Sequence, residues 1–469
     1  MNINPISACL LFCLTLIFFS LSSVISFTGF SNWHDQQRAF QMALLILSSL
    51  VFFTLKINRL ENKISTLLIL IFLIGVTSAV LAPYLYWSSL EVVKYFLLVI
   101  LVLVVRSIAK RVYFQHFVFW LVASIAFILI SKSLLNYIFD LLIGVQRFDI
   151  RSIYYGFDNP RFFGQFQVVS IPIIGFLCSL SRSKDFKCST LVNSLLLFAL
   201  IAQWSFAFAL GSRGVWLALG LTFAFIFLAK KEYRSIIKLQ LITLLVGFLL
   251  YYLMFNLIPD YMATDARVYD SLRQTSSGRI ELWYESVNLA IENLFLGIGP
   301  MHFASLHSAI VANPHQMFLQ FLVEWGVFAM ILMLVLTVWG VLHSANYVIR
   351  NRNADNFDVT LFASIVAVLM LAQVDSVFVM PYIEVWLAVL IGLGFSRWET
   401  GGKQTISHHS KIFLLPLLVI SGVLFMFALN DRFYQDTKGF YILKNHENIA
   451  NTKSPRFWLQ GRIPMTAIE

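Results

Sequence analysis

The sequence has few charged residues and few cysteines. Of its 469 residues, 12% are Asp, Glu, Lys or Arg, whereas 59% are apolar. Soluble globular proteins have about 25% charged residues, so this chain has too few of them to cover a water-facing surface. A soluble protein of two or three domains is therefore excluded. The four cysteines are too few for a disulfide scaffold, and the composition also excludes a disordered chain or a coiled coil.

Long apolar runs dominate the sequence instead. A membrane-crossing helix needs about 20 apolar residues, and we count thirteen candidate runs, with twelve to fourteen as the range. We therefore predict an all-α, polytopic helical membrane protein. The runs cover residues 5–27, 40–55, 66–81, 91–105, 112–135, 166–180, 191–210, 215–229, 239–258, 317–342, 359–374, 385–395 and 412–429.

Every second connection between these runs is rich in Lys and Arg. The positive-inside rule places such connections in the cytoplasm, and a missed or invented span would break the alternation. The pattern predicts a multi-pass protein of a bacterial inner membrane, with a cytoplasmic N-terminus and a C-terminus on the outer side. We divide the chain into a transmembrane domain at 1–429, with a long outer loop at 259–316, and a short outer tail at 430–469.

The outer loop contains a predicted amphipathic helix that follows Ser277, a candidate N-cap. Such a helix lies along a membrane surface with its apolar face down. Arg279 falls in its first turn, where a cation is unfavourable for the helix dipole. This position favours a role in binding an anion, although pairing with Glu281 or Glu285 would also explain it. The predicted apolar face consists of Ile280, Trp283, Tyr284, Val287, Ala290 and Ile291.

The same loop ends at His315, where the chain re-enters the membrane. An imidazole has a pKa near ~6.5 and can accept a proton at neutral pH. The alternative is an ordinary hydrogen-bonding residue at the interface. Glu324 lies two to three turns deeper in an apolar run, where a carboxylate is costly unless it is paired or protonated.

Two further arginines are predicted on the outer side. Arg213 lies between small residues at 211–214, and Arg161 lies with Gln165 in the segment 158–167 that opens the sixth run. Arg213 alone could simply reach lipid headgroups. Together, several arginines and an imidazole at one membrane surface suit a lipid-linked phosphate or diphosphate. A proton-coupled pump would instead need a relay of carboxylates through the bilayer. The His, Asp and Glu residues predicted on the outer face also lack the spacing of metal ligands.

Four motifs on the predicted outer side together resemble the O-antigen ligase/polymerase superfamily, which includes the bacterial O-linked oligosaccharyltransferases that glycosylate pilins. One position departs from many members, which have Asn where Gln316 follows the histidine. The motifs are Ser212-Arg213-Gly214-x-Trp216, Gly278-Arg279-x-x-x-Trp283, Gly297-x-Gly299, and Pro314-His315-Gln316-x-x-Leu319-Gln320-x-x-x-Glu324-x-Gly326.

The resemblance implies transfer of a glycan from undecaprenyl diphosphate to an acceptor hydroxyl at the periplasmic face. It implies no nucleotide sugar, no cofactor and no essential metal. Arg279 and Arg213 would bind the diphosphate, and His315 would activate the acceptor. We add Arg161, Gln165 and Glu324 as predicted substrate-binding residues. Direct attack of the hydroxyl would invert the anomeric configuration, and no outer carboxylate stands out as a nucleophile for a double displacement.

Three functions remain open at this point. An outer C-terminus favours a protein acceptor, which would be a Ser or Thr of a pilin-like subunit. The same chemistry with another acceptor would make the chain a lipid A-core ligase or an O-antigen polymerase. A lipid or solute transporter belongs to a different class. Transporters commonly have paired broken helices, whereas we find one candidate break, near Pro381.

Overall fold

The computed structural model describes residues 5–30, 32–144, 147–181, 189–262, 265–267, 278–305, 312–399, 404–442 and 457–458. The described part of the chain forms seventeen α-helices. They are α1 (Pro5–Leu21), α2 (Trp33–Thr54), α3 (Asn62–Leu81), α4 (Leu85–Ile108), α5 (Val112–Leu142), α6 (Ile150–Ile153), α7 (Pro160–Leu180), α8 (Thr190–Ala209), α9 (Arg213–Ala229), α10 (Arg234–Tyr252), α11 (Ile258–Tyr261), α12 (Arg279–Glu292), α13 (Met317–Trp325), α14 (Val327–Arg350), α15 (Asn356–Leu371), α16 (Pro381–Trp398) and α17 (His408–Ile442).

The structure confirms an all-α, polytopic membrane protein. Among the described residues, nine helices are long and apolar enough to cross a membrane, and three shorter apolar helices accompany them. Every predicted span overlaps one of these helices or α16. A small parallel pairing is the exception to the helical architecture: strand β1 (Arg147–Asp149) pairs with strand β2 (Asp265–Arg267).

The predicted span at 317–342 is divided into two helices, α13 and α14, because the chain bends at Gly326. This residue has φ 85° and ψ 174°, a conformation that only glycine adopts without strain. A side chain here would also place its Cβ 2.0 Å from the backbone oxygen of Phe295. The short helix α13 is therefore separate from the long apolar helix α14.

Hydrogen bonds between connections define two ends of the helical bundle. At the end that we call the site end, the backbone N–H of His34 donates to Asp158 Oδ2 at 2.6 Å. At the opposite end, which we call the basic-loop end, Arg106 Nη1 donates to the backbone oxygen of Asn58 at 3.0 Å. Helix α7 is buried along most of its length, whereas few residues of α10, α14 and α17 are fully buried, as is typical of lipid-facing helices.

The amphipathic helix is α12, and it begins at Arg279 with Gly278, rather than the predicted Ser277, at the N-cap. Gly278 has φ 72°, so the turn into the helix uses a left-handed backbone. Ser277 lies outside the described residues. One face of α12 packs through Leu282 and Ala290 in a small apolar cluster with Phe303 and Val323. The exposed side carries an apolar stripe that is formed by Ile280, Tyr284, Val287 and Ile291.

The last helix extends past the predicted domain boundary at residue 429, because α17 continues to Ile442. Of the remaining tail, Phe457 and Trp458 are described, and both are buried. The ring centroids of Phe457 and Phe425 of α17 are 6.1 Å apart. This part of the tail therefore packs against the bundle.

Candidate active site

His315 lies in a tight turn immediately before α13. Its backbone has φ 54°, in the left-handed region that residues other than glycine seldom occupy. The side chain of Asn313 holds the turn, since its Oδ1 accepts from the backbone N–H of His315 at 3.0 Å. Strained backbone of this kind occurs mainly where a side chain must point in a set direction.

The imidazole of His315 is oriented by two residues from the connection between α15 and α16. Nδ1 hydrogen-bonds Ser376 Oγ, and it lies 3.8 Å from Asp375 Oδ1. The Ser376 hydroxyl donates its proton to Asn313 Oδ1 at 3.0 Å. Oγ must then accept from His315, which assigns the proton of the neutral imidazole to Nδ1. No described residue hydrogen-bonds Nε2, whose lone pair is the basic position of the ring.

Asp375 is buried and carries the negative charge of this group. Burial raises the pKa of its carboxyl, but several neighbours lower it by a larger amount. These are the hydrogen bond and charge of His315, the backbone N–H of Ser376 and the charge of Arg279. The net result is a pKa below the ordinary value of 3.8, so the carboxylate is ionised at neutral pH. It therefore supplies a fixed anion beside the Nδ1–H of His315.

Arg279, the first residue of α12, brings positive charge to the same region. Burial lowers the pKa of this half-buried guanidinium, Asp375 opposes that shift, and the positive charges of Arg161 and Arg213 add to it. Arg279 therefore lies within electrostatic range of each of the other three groups. Three guanidinium groups and one carboxylate give the region a positive surplus that favours an anionic ligand.

Close helix packing places Arg213 in this group. Arg213 is the first residue of α9, and the next residue is Gly214. A Cβ on Gly214 would lie 2.9 Å from Leu371 Cδ1 and 3.2 Å from Val374 Cγ2. The start of α9 therefore lies directly against the end of α15, beside the connection that carries Asp375 and Ser376.

Arg161 is placed by the cap of α7. Asn159 is the N-cap, and its Oδ1 accepts from the backbone N–H of Arg161 at 3.0 Å. Pro160 is the first helical residue, a position where proline favours helix formation because its fixed φ matches the helix. These two residues fix the first turn of α7, from which Arg161 projects half-exposed.

Two contacts connect the histidine turn with its neighbours. Trp283 Nε1 of α12 donates to the backbone oxygen of Pro314 at 2.9 Å. The side chain of Gln316 caps α13 by accepting from the backbone N–H of Leu319. Its Nε2 also donates to Gln373 Oε1 at 3.0 Å. Gln316, the residue that differs from the Asn found in many family members, thus connects the histidine turn to the segment that contains Asp375.

Two predicted substrate-binding residues are buried. Gln165 is 1% exposed, and neither polar atom of its side chain has a hydrogen-bond partner among the described residues. Glu324 is 0% exposed, and its Oε1 accepts from the backbone N–H of Phe303 at 3.1 Å. Substrate would reach either side chain only after a change in conformation, so their role in binding stays a prediction.

The sequence interpretation missed Asp375, Ser376 and Asn313. The signal was present, because Asp375-Ser376 is a polar pair in a short connection between two apolar runs. Nothing in the local pattern connects that pair with His315, however. Only the contact between the start of α13 and the end of α15, where the backbone N–H of Met317 donates to the oxygen of Ala372 at 3.0 Å, brings the two segments together.

An apolar cavity of about 480 Å³ extends from Val377 and Phe378 towards the basic-loop end. Side chains of α3, α4, α14 and α16 form most of its lining. Val377 and Phe378, which follow Ser376 directly, line its site end, and Trp398 lines the opposite end. The cavity therefore begins beside the polar site and runs along the interior of the bundle.

A family model described as O-Antigen ligase matches residues 196–334. This part of the chain is therefore similar to the O-antigen ligase family. This finding confirms the resemblance to the O-antigen ligase/polymerase superfamily, and it indicates a glycan ligase or transferase that uses lipid-linked glycan and acceptor substrates. No curated protein matches the chain.

The matched O-antigen ligase domain contains Arg213, Arg279 and His315. Arg161 and Asp375 lie outside the matched range and join the site through the fold. The site is thus built from the matched domain together with segments on both sides of it.

Proposed function

We propose that the protein transfers a glycan from a polyprenyl diphosphate, such as undecaprenyl diphosphate, to an acceptor hydroxyl at the periplasmic face of a bacterial inner membrane. The observation that carries this proposal is the combination of an oriented imidazole with three neighbouring guanidinium groups. His315 has its Nδ1 held by Ser376 and Asp375, and Arg279 lies within electrostatic range of Arg161 and Arg213.

His315 acts as the general base in this proposal. Nε2 removes the proton of the acceptor hydroxyl as its oxygen attacks the anomeric carbon, and Asp375 stabilises the imidazolium that forms. General base catalysis of this kind contributes about 10²–10⁴ in rate. Because the acceptor attacks directly, the transfer inverts the anomeric configuration, and the chain needs no metal ion or cofactor for this step.

The arginines act on the leaving group. As the bond between the anomeric carbon and the phosphate oxygen breaks, the electron pair and negative charge pass to the polyprenyl diphosphate. Arg279, Arg213 and Arg161 offer charged donors to the two phosphates and stabilise that charge. Loss of one such contact typically costs about 3 kcal/mol, or 10²–10³ in rate.

Two apolar features support a carrier with a lipid tail. The cavity of about 480 Å³ begins beside Ser376 and is lined mainly by apolar side chains, so it can accept an isoprenoid chain while the diphosphate stays at the arginines. The exposed stripe that Ile280 begins on α12 is suited to lie on a lipid surface next to the same site.

For the acceptor, we propose a Ser or Thr of a pilin-like secreted protein. The supporting argument is the positive-inside pattern, which places the tail and the site on the same outer side. The alternative acceptor is lipid A-core or a growing O-antigen, with which the match to the O-antigen ligase family is equally consistent.

The proposal is tested by expression in a host that makes a lipid-linked glycan, with and without a co-expressed pilin. We expect the intact mass of the pilin to increase by that of the glycan. Lipopolysaccharide that gains O-chains while the pilin mass stays unchanged would instead establish the second acceptor.

A His315→Ala variant separates transfer from transport. We expect it to insert normally and to lose glycan transfer, whereas a transporter would continue to move its substrate. His116→Ala is the control, because His116 lies on α5 close to the basic-loop end and should leave transfer intact. Equal transfer by the wild type and His315→Ala would refute the catalytic role.

A further inference from the structure

A buried ion network lies just inside the site end of the bundle and connects three helices. Glu384 of α16 accepts from Arg38 Nη1 of α2 at 2.8 Å and from Lys94 Nζ of α4 at 2.7 Å. Lys94 Nζ also lies 3.2 Å from Glu91 Oε2. All four side chains are buried, and their two positive and two negative charges balance.

The same helices hold the backbone that leads from the site into α16. Three side chains of α2 and α4 donate to three carbonyl oxygens between residues 378 and 381. The contacts are Tyr95 Oη to Phe378 O at 3.0 Å, Arg38 Nη2 to Val379 O at 2.6 Å, and Gln41 Nε2 to Pro381 O at 3.4 Å.

This held backbone is the direct continuation of the segment that orients the imidazole. The backbone N–H of Val377 donates to the oxygen of Asp375 at 2.9 Å, and that of Val379 donates to the oxygen of Ser376 at 3.2 Å. These bonds form the 3₁₀ turn Val377–Val379. The position of Val379 is therefore coupled to the positions of Asp375 and Ser376, the two residues that contact His315.

Burying four charges inside a membrane protein is costly, and apolar side chains of the same volume would hold three helices together equally well. Apolar side chains cannot, however, donate hydrogen bonds to a connecting segment. Glu384 pairs with Arg38 and Lys94 and accepts from Gln41 at 2.9 Å. The Glu384 carboxylate therefore fixes Arg38 and Gln41, whose other N–H groups donate to the backbone oxygens of Val379 and Pro381.

We propose that Arg38, Gln41 and Tyr95 are positioning residues for the general base, with Glu384 as the anchor of Arg38 and Gln41. They hold residues 378–381 so that Asp375 and Ser376 keep the His315 ring in its productive orientation. The inference rests on the proposed function, because it takes His315 as the base. It adds that side chains of α2 and α4, both outside the matched O-antigen ligase domain, determine how well that base works.

Tyr95→Phe and Arg38→Lys test this role with little change in shape. We expect kcat for glycan transfer to fall about 10-fold for Tyr95→Phe and 10- to 100-fold for Arg38→Lys, as is typical when groups behind a reactive side chain are altered. KM for the lipid-linked donor should stay within about twofold, because the arginines are untouched and Tyr95→Phe removes only a hydroxyl from the lining of the apolar cavity. The acidic limb of the pH–rate profile should move to lower pH, since a displaced Asp375 stabilises the imidazolium less.

Matched controls come from the opposite end of the bundle. Tyr233 is a buried tyrosine whose hydroxyl donates to the backbone oxygen of Val348 at 3.3 Å. Arg397 is an α16 arginine whose Nη2 donates to Asp358 Oδ2 at 2.8 Å. Tyr233→Phe and Arg397→Lys therefore make the same chemical changes away from the site, and their pH–rate profiles should match that of the wild type.

Hydrogen exchange of the full-length protein in detergent gives a readout independent of activity. We expect backbone amides at 372–380 to exchange faster in Tyr95→Phe and Arg38→Lys than in the two controls. Unchanged kcat, pH profile and exchange in Tyr95→Phe would overturn the inference, and so would equal losses in the test and control variants. If His315→Ala transfers glycan as well as the wild type, the proposed function fails instead, whatever the exchange shows.

Discussion

Asp375 Oδ1 lies 3.8 Å from His315 Nδ1, and Ser376 hydrogen-bonds the same ring nitrogen. The two partners lie in the connection between α15 and α16, and the histidine lies in the turn before α13. This relationship fixes the tautomer of the imidazole and leaves Nε2 as the basic atom. The catalytic proposal therefore depends as much on the α15–α16 connection as on the histidine itself.

Asp375→Asn should reduce transfer and alter stability at acidic pH. The pKa of Asp375 in the folded protein lies below its ordinary value. Ionised Asp375 therefore stabilises the folded protein at pH values above the unfolded-state pKa of about 3.9. This stabilisation is lost as the pH falls through the folded-state pKa. We expect kcat to fall at least 10-fold, and the melting temperature of the variant to depend less on pH between about 5 and 2. Thermal unfolding in detergent at several pH values measures this; a wild-type pH dependence in the variant would argue against an ionised Asp375.

Arg279→Gln should lower kcat/KM by about 10²–10³, because it removes one charged donor to the leaving diphosphate. Arg279→Lys should recover only part of the loss, since an ammonium cannot reproduce the bidentate geometry of a guanidinium. Initial rates with purified lipid-linked glycan measure both variants. Arg352→Gln, in the connection after α14, is the control, and an equal loss there would indicate a general effect of charge.

Gly340→Leu should obstruct the apolar cavity without disturbing the fold. Gly340 lines the cavity, and a Cβ at this position would meet no atom within 4 Å. We expect KM to rise severalfold for a donor with a full-length polyprenyl chain and to stay constant for a short-chain analogue.

Gly220→Leu on α9 is the matched control for Gly340→Leu, because its Cβ would also meet no atom within 4 Å and it lies away from the cavity lining. Equal KM values for the long-chain donor in both variants would show that the tail binds elsewhere.

Gly326→Ala should destabilise the protein by about 2–4 kcal/mol, since it adds a positive-φ penalty of about 1–3 kcal/mol to a close approach. The new Cβ would lie 2.0 Å from Phe295 O. Gly422→Ala on α17 has open space around its Cβ and should leave stability unchanged. Denaturant or thermal unfolding in detergent measures the stability of both variants. Equal stabilities would contradict a requirement for glycine at the bend at position 326.

Much of the fold could be predicted from the sequence because helix formation in a membrane depends on local composition. Each apolar run predicted a span, and each run overlaps a helix. The position of the bend was not predicted: the run at 317–342 is continuous in hydropathy, and its division at Gly326 depends on the close approach of Phe295 from another segment. Similarly, the apolar pattern of α12 predicted a face on the membrane surface, and it did not indicate that Leu282 packs against Val323 of α13.

The sequence by itself determined the membrane class, the alternation of basic connections, and Arg213, Arg279 and His315 as candidate residues, because these are features of composition or of short motifs. Only the tertiary structure decided that Asp375 and Ser376 orient His315, that Glu324 is fully buried, and that Arg38, Lys94 and Glu384 form one ion network. The physical reason is that charge pairing and hydrogen bonding depend on distances of about 3–4 Å between atoms. Such distances between residues far apart in the chain are set by helix packing, which no local pattern encodes.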